Sequence, residues 1–557
     1  ILFRSDDRGD TWTAVSPDLT RNLDRNKLKI MDRVWGVDSV AKNRSTSFYG
    51  SIVTVSESPL VEGLLYVGTD DGLVQVSEDA GESWRKIEGF ESLDVPEYCF
   101  VSDIEASKHD PDTVFVVLYN YKRGDFKPYV VRSKDRGRTW QSIASNLPER
   151  GSTYTIVQDH VSPNLLFVGT EFGLFVTLDG GIKWIPLKSG LPTVAVRDLE
   201  IQKRENDLAV GTFGRGFYIL DDYTPLRDLS EELLKKEGHI FPIKKAQMYI
   251  QTSPLAGGSK AFQGADFFTA PNPAFGATFT YYLRDSLKTK KSERQTKDRS
   301  LAKQGKDVHY PSWDELKAED REEAPIVRLT VRDAEGNIVR RISGSTSKGL
   351  HRATWNFRHT AFASVGSRNG PLALPGKYTV SLSTTIDGEI TEIAGPTEFL
   401  VEPLGAATIP EQDRAEVFAF QKKTGALQRA VMGAFQVAQD SAEQLKVMKN
   451  AIASSPSVDP KLAAEARELE LRLMDILERF SGDPTRPARS EPAPPGIMSR
   501  VQTVVQGHWS TTHGPTNTHR QSYEIAADEF GEILGELKKL VEKDLVVLRD
   551  KLEAAGA

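Results

Sequence analysis

The chain is predicted to be mainly β: a partial β-propeller, then an immunoglobulin-like β-sandwich, then a C-terminal α-helical bundle. Three observations predict it. A polar turn ending in Trp recurs through the first 190 residues, short apolar runs separated by Gly, Pro and Asp turns fill the space between its copies, and the apolar period changes to three and four after residue 411. A chain of 557 residues is too long for one core and is expected to form about three or four domains.

The turn reads "RSDDRGDTW" at 4–12, "VSEDAGESW" at 76–84, "RSKDRGRTW" at 132–140 and "VTLDGGIKW" at 176–184. Its residue types describe a stapled hairpin. Asp7, Asp79, Asp135 and Asp179 accept from backbone amides of a tight turn, with Ser5, Ser77 and Ser133 two residues before them. Gly9, Gly81, Gly137 and Gly181 supply a position of positive φ. Trp12, Trp84, Trp140 and Trp184 are expected to fold under the hairpin and bury a large apolar area. In the fourth copy, Thr177 replaces Ser and Lys183 replaces Thr, which should weaken the hairpin but not its register.

Between the turns, an apolar residue is followed seven positions later by Pro at Ile52 and Pro59, Ile104 and Pro111, and Ile156 and Pro163. Leu199 and Asn206 occupy these places in a fourth copy. Then come "LLYVGTDDG", "TVFVVLYNY", "LLFVGTEFG" and "DLAVGTFGRG". About four strands per repeat of about 45–55 residues is the pattern of a propeller blade. Residues 1–226 thus hold about four and a half blades, with 16–50 as a long loop. A chain opening within a blade leaves unpaired edges, so upstream blades of the same protein are the expected partner.

The turns resemble the Asp-box, or bacterial neuraminidase repeat, of sialidases, xyloglucanases and sortilin-type propellers. "GTFGRGFYILDDYTPLR" at 211–227 is similar to the last blade of large bacterial sortilin-like or glycosyl-hydrolase-like proteins. The resemblance implies Asp boxes on the blade periphery with a structural role, a periplasmic, outer-membrane-associated or secreted location, and a protein or glycan ligand. Sialidases also need an arginine triad and a Tyr nucleophile, and no such set is assignable.

A connector at 227–266 leads to the sandwich at 267–404, whose strand signals include "GLHRATWNFR" and "LPGKYTV". An insertion at 285–323, basic then acidic, suits a solvated loop better than a nucleic-acid arm. Residues 411–557 read as helices broken by "SGDPTRPARSEPAPPG". The last carries Tyr523, Ala527, Phe530, Leu534, Leu537, Val541, Leu545, Leu548 and Leu552 as one stripe, which fits a bundle, an antiparallel coiled coil or a partner-binding helix.

The formal charge of −7 gives no global reason to expect nucleic acid, no run is long enough to span a membrane, and the single Cys99 excludes an intramolecular disulfide. His508, His513 and His519 have no carboxylate or cysteine at a ligating spacing; Thr516 or Thr518 is expected to cap the final helix instead. No metal or cofactor is expected.

Glycoside hydrolysis needs two carboxylates about 5–10 Å apart. The position before the aligned Ile or Leu reads Ser51, Asp103, Thr155 and Asp198, so Asp103 and Asp198 are the candidate catalytic pair if the chain is an enzyme. The alternative is that each only hydrogen-bonds the turn at its strand start. A binding scaffold is the favoured reading and a polysaccharide hydrolase the second.

Overall fold

The computed structural model describes all residues except 41, 43–48, 250, 252–269, 363–368, 406–413, 510, 512 and 557. The connector from 252 to 266 and the proposed starts at 267 and 411 lie outside the described residues. The chain divides into two compact units, Ile1–Leu233 and Leu234–Ala557.

The first unit is a run of antiparallel meanders. A hairpin pairs Phe3–Arg4 with Thr13–Ala14. The first full sheet orders Ile52–Glu57, Leu65–Thr69, Val74–Ser77 and Arg85–Ile87. The second orders Phe100–Ala106, Val114–Asn120, Asp125–Ser133 and Gln141–Ser142, and the third Thr153–Gln158, Leu166–Thr170, Gly173–Thr177 and Ile185–Leu187. Val196–Gln202, Asp207–Thr212 and Phe217–Leu220 form a three-stranded fourth. The first strands of successive sheets lie against one another, as the inner strands of propeller blades do. Middle strands are apolar on both faces because sheets cover both sides: Val114–Asn120 and Leu166–Thr170 are buried throughout.

The paired registers correct the alignment of the first blade. Thr54 pairs with Gly68 as Thr155 pairs with Gly169 and Asp198 with Gly211, and Ser58 is bonded to Leu64 as Ser107 is to Thr113. Val55, not Ile52, therefore matches Ile104 and Ile156, and Thr54, not Ser51, matches Asp103. Pro59 mimics Pro111 and Pro163 in sequence but lies three residues earlier in its turn.

In the second unit, Gly238–Ile240, Ala277–Leu283 and Gly349–Trp355 form one sheet. Ala246–Met248, Glu389–Pro403, Gly376–Ile386, Ile326–Arg332 and Ile338–Gly344 form the other. Phe279, Tyr281, Trp355, Leu329, Val380 and Phe399 fill one core between them. The insertion differs from the expected loop: Lys290–Lys303 and Trp313–Arg321 are helices. Thr289 caps the first, a capping box of Ser312 and Glu315 opens the second, and Arg294 clamps Glu319 with bonds of 2.6 and 2.8 Å. Charges of both signs thus serve helix pairing.

The helical part contains Arg414–Ser454, Leu462–Ser481, Ile497–His508 and Asn517–Lys539, the last continued by a π-helical turn at Leu540–Asp544 and by Leu545–Ala554. Its buried stripe is Ala526, Phe530, Ile533, Leu537, Leu540, Leu545, Leu548 and Leu552. The step of five from Leu540 to Leu545 exceeds one α-turn, and the π-turn absorbs the extra residue. Tyr523, Ala527, Leu534 and Val541 flank this stripe and are only half-buried. Among the described residues no helix is long and apolar enough to cross a membrane.

Candidate functional site

The Trp turns are built as hydrogen-bonded staples. In the first, Ser5 Oγ donates to Asp7 at 2.8 Å and accepts from Gly9 N, while Asp7 accepts from Thr11 N and Thr11 Oγ1. Asp79 with Ser77 and Ser83, and Asp135 with Ser133 and Thr139, repeat the pattern. The Thr11 hydroxyl, then the Thr11 amide and Ser5, hold the Asp7 carboxyl down at about 2. In the fourth, Asp179 takes amides of Ile182 and Lys183 but no hydroxyl at that place, since Lys183 has none.

The second, third and fourth staples each pack on the strands before them. A Cβ on Gly81 would lie 2.4 Å from Val15 O, and one on Gly181 would lie 2.7 Å from Ile143 Cβ. At φ +98° both positions also disfavour any side chain. The indoles do not share the deep burial expected of them. Trp184 is 2% exposed, and the Asn146 side chain brackets its backbone. Trp84 and Trp140 are half-buried, and Trp12 is 62% exposed, its staple meeting no other strand at Gly9.

The inner strands carry the candidate carboxylates. Each carries one extra residue, a bulge, immediately before Thr54, Asp103, Thr155 or Asp198. The "VGT" glycines answer these bulges: a Cβ on Gly169 would sit 2.7 Å from Thr155 Cγ2. Asp103 Oδ2 accepts from Thr155 Oγ1 and Ile156 N of the next sheet, both at 2.9 Å. Burial pushes the Asp103 carboxyl up to about 6 against those two bonds, with the charges of Glu105 and Asp198 adding to the rise. Glu105 accepts from Lys108 and from Gln158 N, and Gln158 Oε1 accepts from Ser107 Oγ and Lys108 N. Asp103 and Glu105 thus belong to a polar ladder joining the second and third sheets. Asp198 is exposed and accepts from the amide of Leu199 beside it, the local bond that the alternative reading expects.

A pocket of about 510 Å³ opens at one end of the second to fourth sheets. Tyr121, Phe126, Tyr154 and Phe172 supply rings; Arg150, Arg197, Glu171 and Ser152 supply polar groups. The Arg197 guanidinium lies 3.7 Å over the Tyr154 ring and 5.4 Å from that of Phe213. Tyr154 donates its hydroxyl to Glu171, and Tyr119 stacks on Phe100 and Tyr121 at 4.5 and 4.7 Å behind the wall. Sequence reasoning missed this site, since its rings fall at the ends of strands, in "LYNY" and "EFG", where no period marks them.

The His508 and His519 rings lie near one another. His508 Nε2 lies 3.0 Å from His513 O, and the His508 and His519 rings are 5.6 Å apart. Thr516 caps the final helix, and His519 Nδ1 accepts from the Thr516 amide to complete the capping box. Among the described residues no group of three His, Cys, Asp or Glu could hold a metal ion. Burial pushes the Cys99 thiol up to about 12, which makes it unreactive.

No family model matches the chain. A xyloglucanase of Acetivibrio thermocellus is 27% identical over 137 residues, 23% of this chain and 16% of that protein. A Paenibacillus xyloglucanase is 29% identical over 136 residues, 23% of this chain and 13% of that protein. The chain thus spans about a sixth or less of the length of the curated relatives it matches. Among solved structures, a xyloglucanase from Xanthomonas campestris aligns at 16% identity and a TM-score of 0.28, over 39% of this chain and 33% of that one.

Proposed function

We propose that the chain is the ligand-binding part of an Asp-box propeller protein of the sortilin-like or glycosyl-hydrolase-like kind, which holds a glycan, or a protein, without cleaving it. Residues 1–226 act as propeller blades, with an immunoglobulin-like sandwich at 267–404 and a helical bundle at 411–557. The location that fits is periplasmic, outer-membrane-associated or secreted.

The observation that carries this reading is the composition of the pocket. Four rings and two guanidiniums surround one carboxylate, and that carboxylate is occupied by the Tyr154 hydroxyl. Apolar walls with a few placed polar groups are the features of a binding site, whereas glycoside hydrolysis asks for a pair of acids. Partial similarity to two xyloglucanases favours a glycan over a protein ligand.

A second reading, glycoside hydrolysis through Asp103 and Asp198, draws on one observation: the Asp103 carboxyl lies at about 6, in the range of a general acid. Incubation of the full chain with β-glucans, xyloglucans and sialylated glycans separates the two. Retention without new reducing ends, unchanged in Asp103→Asn and Asp198→Asn, supports binding alone. Cleavage that falls by about 10²–10⁴-fold in those variants establishes the hydrolase.

A further inference from the structure

The polar groups of the pocket are unevenly satisfied. Ser152 lines it, is 2% exposed, and its hydroxyl has no hydrogen-bond partner among the described residues. Arg197 Nε is likewise buried and without one. The nearest carboxylate to that guanidinium, Glu171, stands 3.9 Å from its terminal nitrogen, beyond hydrogen-bond reach, and receives the Tyr154 hydroxyl instead. Buried donors in folded proteins find acceptors, and each one left unmade is costly. This pocket therefore holds donors waiting for an acceptor.

The charge agrees. Arg150 and Arg197 face Glu171 alone, which leaves one positive charge in excess. Stacking on Tyr154 fixes the plane of the Arg197 guanidinium, and a fixed guanidinium presents its N–H groups as a fork that matches a carboxylate. Beside that fork, Phe172 is 55% exposed and leaves apolar ring surface open, while the Arg150 guanidinium lies 5.8 Å over the Phe126 ring. About 510 Å³ accommodates one or two six-membered rings and is within the usual range for small-ligand sites.

We propose that this pocket takes a ring-bearing carboxylate, the uronic-acid unit of an acidic glycan, with the carboxylate on Arg197 and Ser152 and the sugar ring against Phe172. The proposal rests on the glycan-binding reading and narrows it to acidic sugars.

Calorimetric titration of the full chain with trigalacturonate, the neutral galactotriose, free galacturonate and benzoate tests it. Trigalacturonate should bind at least about tenfold more tightly than galactotriose, a difference of 1.4 kcal/mol. Arg197→Gln should bring the two to the same affinity, and Arg197→Lys should restore only part of the preference because an ammonium lacks the fork. Ser152→Ala, a change of one oxygen, should weaken trigalacturonate binding and serves as the check should Arg197→Gln lose its native circular dichroism. Galacturonate binding without benzoate binding assigns the site to a sugar acid, whereas benzoate binding as tight as galacturonate overturns the glycan assignment. Galactotriose binding equal to trigalacturonate and lost in Phe172→Ala sinks the acidic preference but leaves the glycan reading standing. Failure of every saccharide to bind sinks both.

Discussion

Asp103 in one blade accepts the hydroxyl of Thr155 in the next at 2.9 Å, and Thr155 fills in its own blade the position that Asp103 fills in its neighbour. The inner row alternates Thr54, Asp103, Thr155 and Asp198, so one carboxylate bridges to its neighbour while the other faces solvent.

Burial of Asp103, acting against that bridge, sets a pH dependence. Burial raises the Asp103 carboxyl to about 6, above the 3.8 of a free Asp, so the folded state binds the proton more tightly than the unfolded state. Stability is therefore greatest below pH 4 with respect to this group and falls as pH rises through 6, by at most about 3 kcal/mol. Asp103→Asn keeps a carbonyl oxygen for Thr155 and Ile156 and removes the charge. Its stability relative to the parent chain, from urea unfolding, should be near zero at pH 4 and favourable at pH 7. Equal destabilisation at both would show that the ionised carboxylate is needed.

Arg227 grips Asp159 through Nε and Nη2 at 2.9 and 2.7 Å, and the Tyr223 hydroxyl donates to the same carboxylate at 2.6 Å. Burial pushes the Asp159 carboxyl up, but the bonds from Arg227, Tyr223 and Ser162 outweigh it and hold it below the usual range. Arg227→Ala strands a fully buried charge and should cost about 3–5 kcal/mol at pH 7. The loss should shrink at pH 4, where Asp159 can take up a proton, and thermal melts at the two pH values check it.

The four Trp residues should not be equivalent. Trp184→Ala empties a site 2% exposed and should cost about 3–5 kcal/mol, whereas Trp12→Ala, at a residue 62% exposed, should cost less than about 1. Chemical denaturation of the two variants distinguishes a structural role graded by burial from a shared ligand role, which would leave stability intact in both.

The last helix offers a test of register. Leu540 is fully buried and Val541 only half-buried, so Leu540→Ala should cost about 2–5 kcal/mol and Val541→Ala much less. Similar costs would return the stripe to an uninterrupted α-helical period.

Much of the architecture was legible because it repeats. The Ser-x-Asp-x-Gly turns and the runs after them mark the strands of each sheet, since a hairpin staple needs those residue types at that spacing. What eluded reading was set by neighbours in space. Pro59 shifted one blade by three residues, the extra residue at Leu540–Asp544 is absorbed by a turn that leaves no sequence signal, and Trp12 looks like Trp184 until the underlying sheet is considered. Asp103 and Asp198 were found by repeat position alone, but the bond from Thr155 that distinguishes them comes from another blade. The pocket gathers Tyr121, Ser152, Tyr154, Phe172 and Arg197 from three sheets and the loops between them, and no local period announces such a set.

The most direct test of the account is hydrogen–deuterium exchange on the full chain, alone and with soluble xyloglucan or trigalacturonate in turn. Bound glycan should slow amide exchange in 121–126, 150–154, 171–173 and 195–197, the segments that wall the pocket, with no oligosaccharide products in the supernatant. Protection confined to other segments, or release of cleaved products, would contradict a binding site in this pocket.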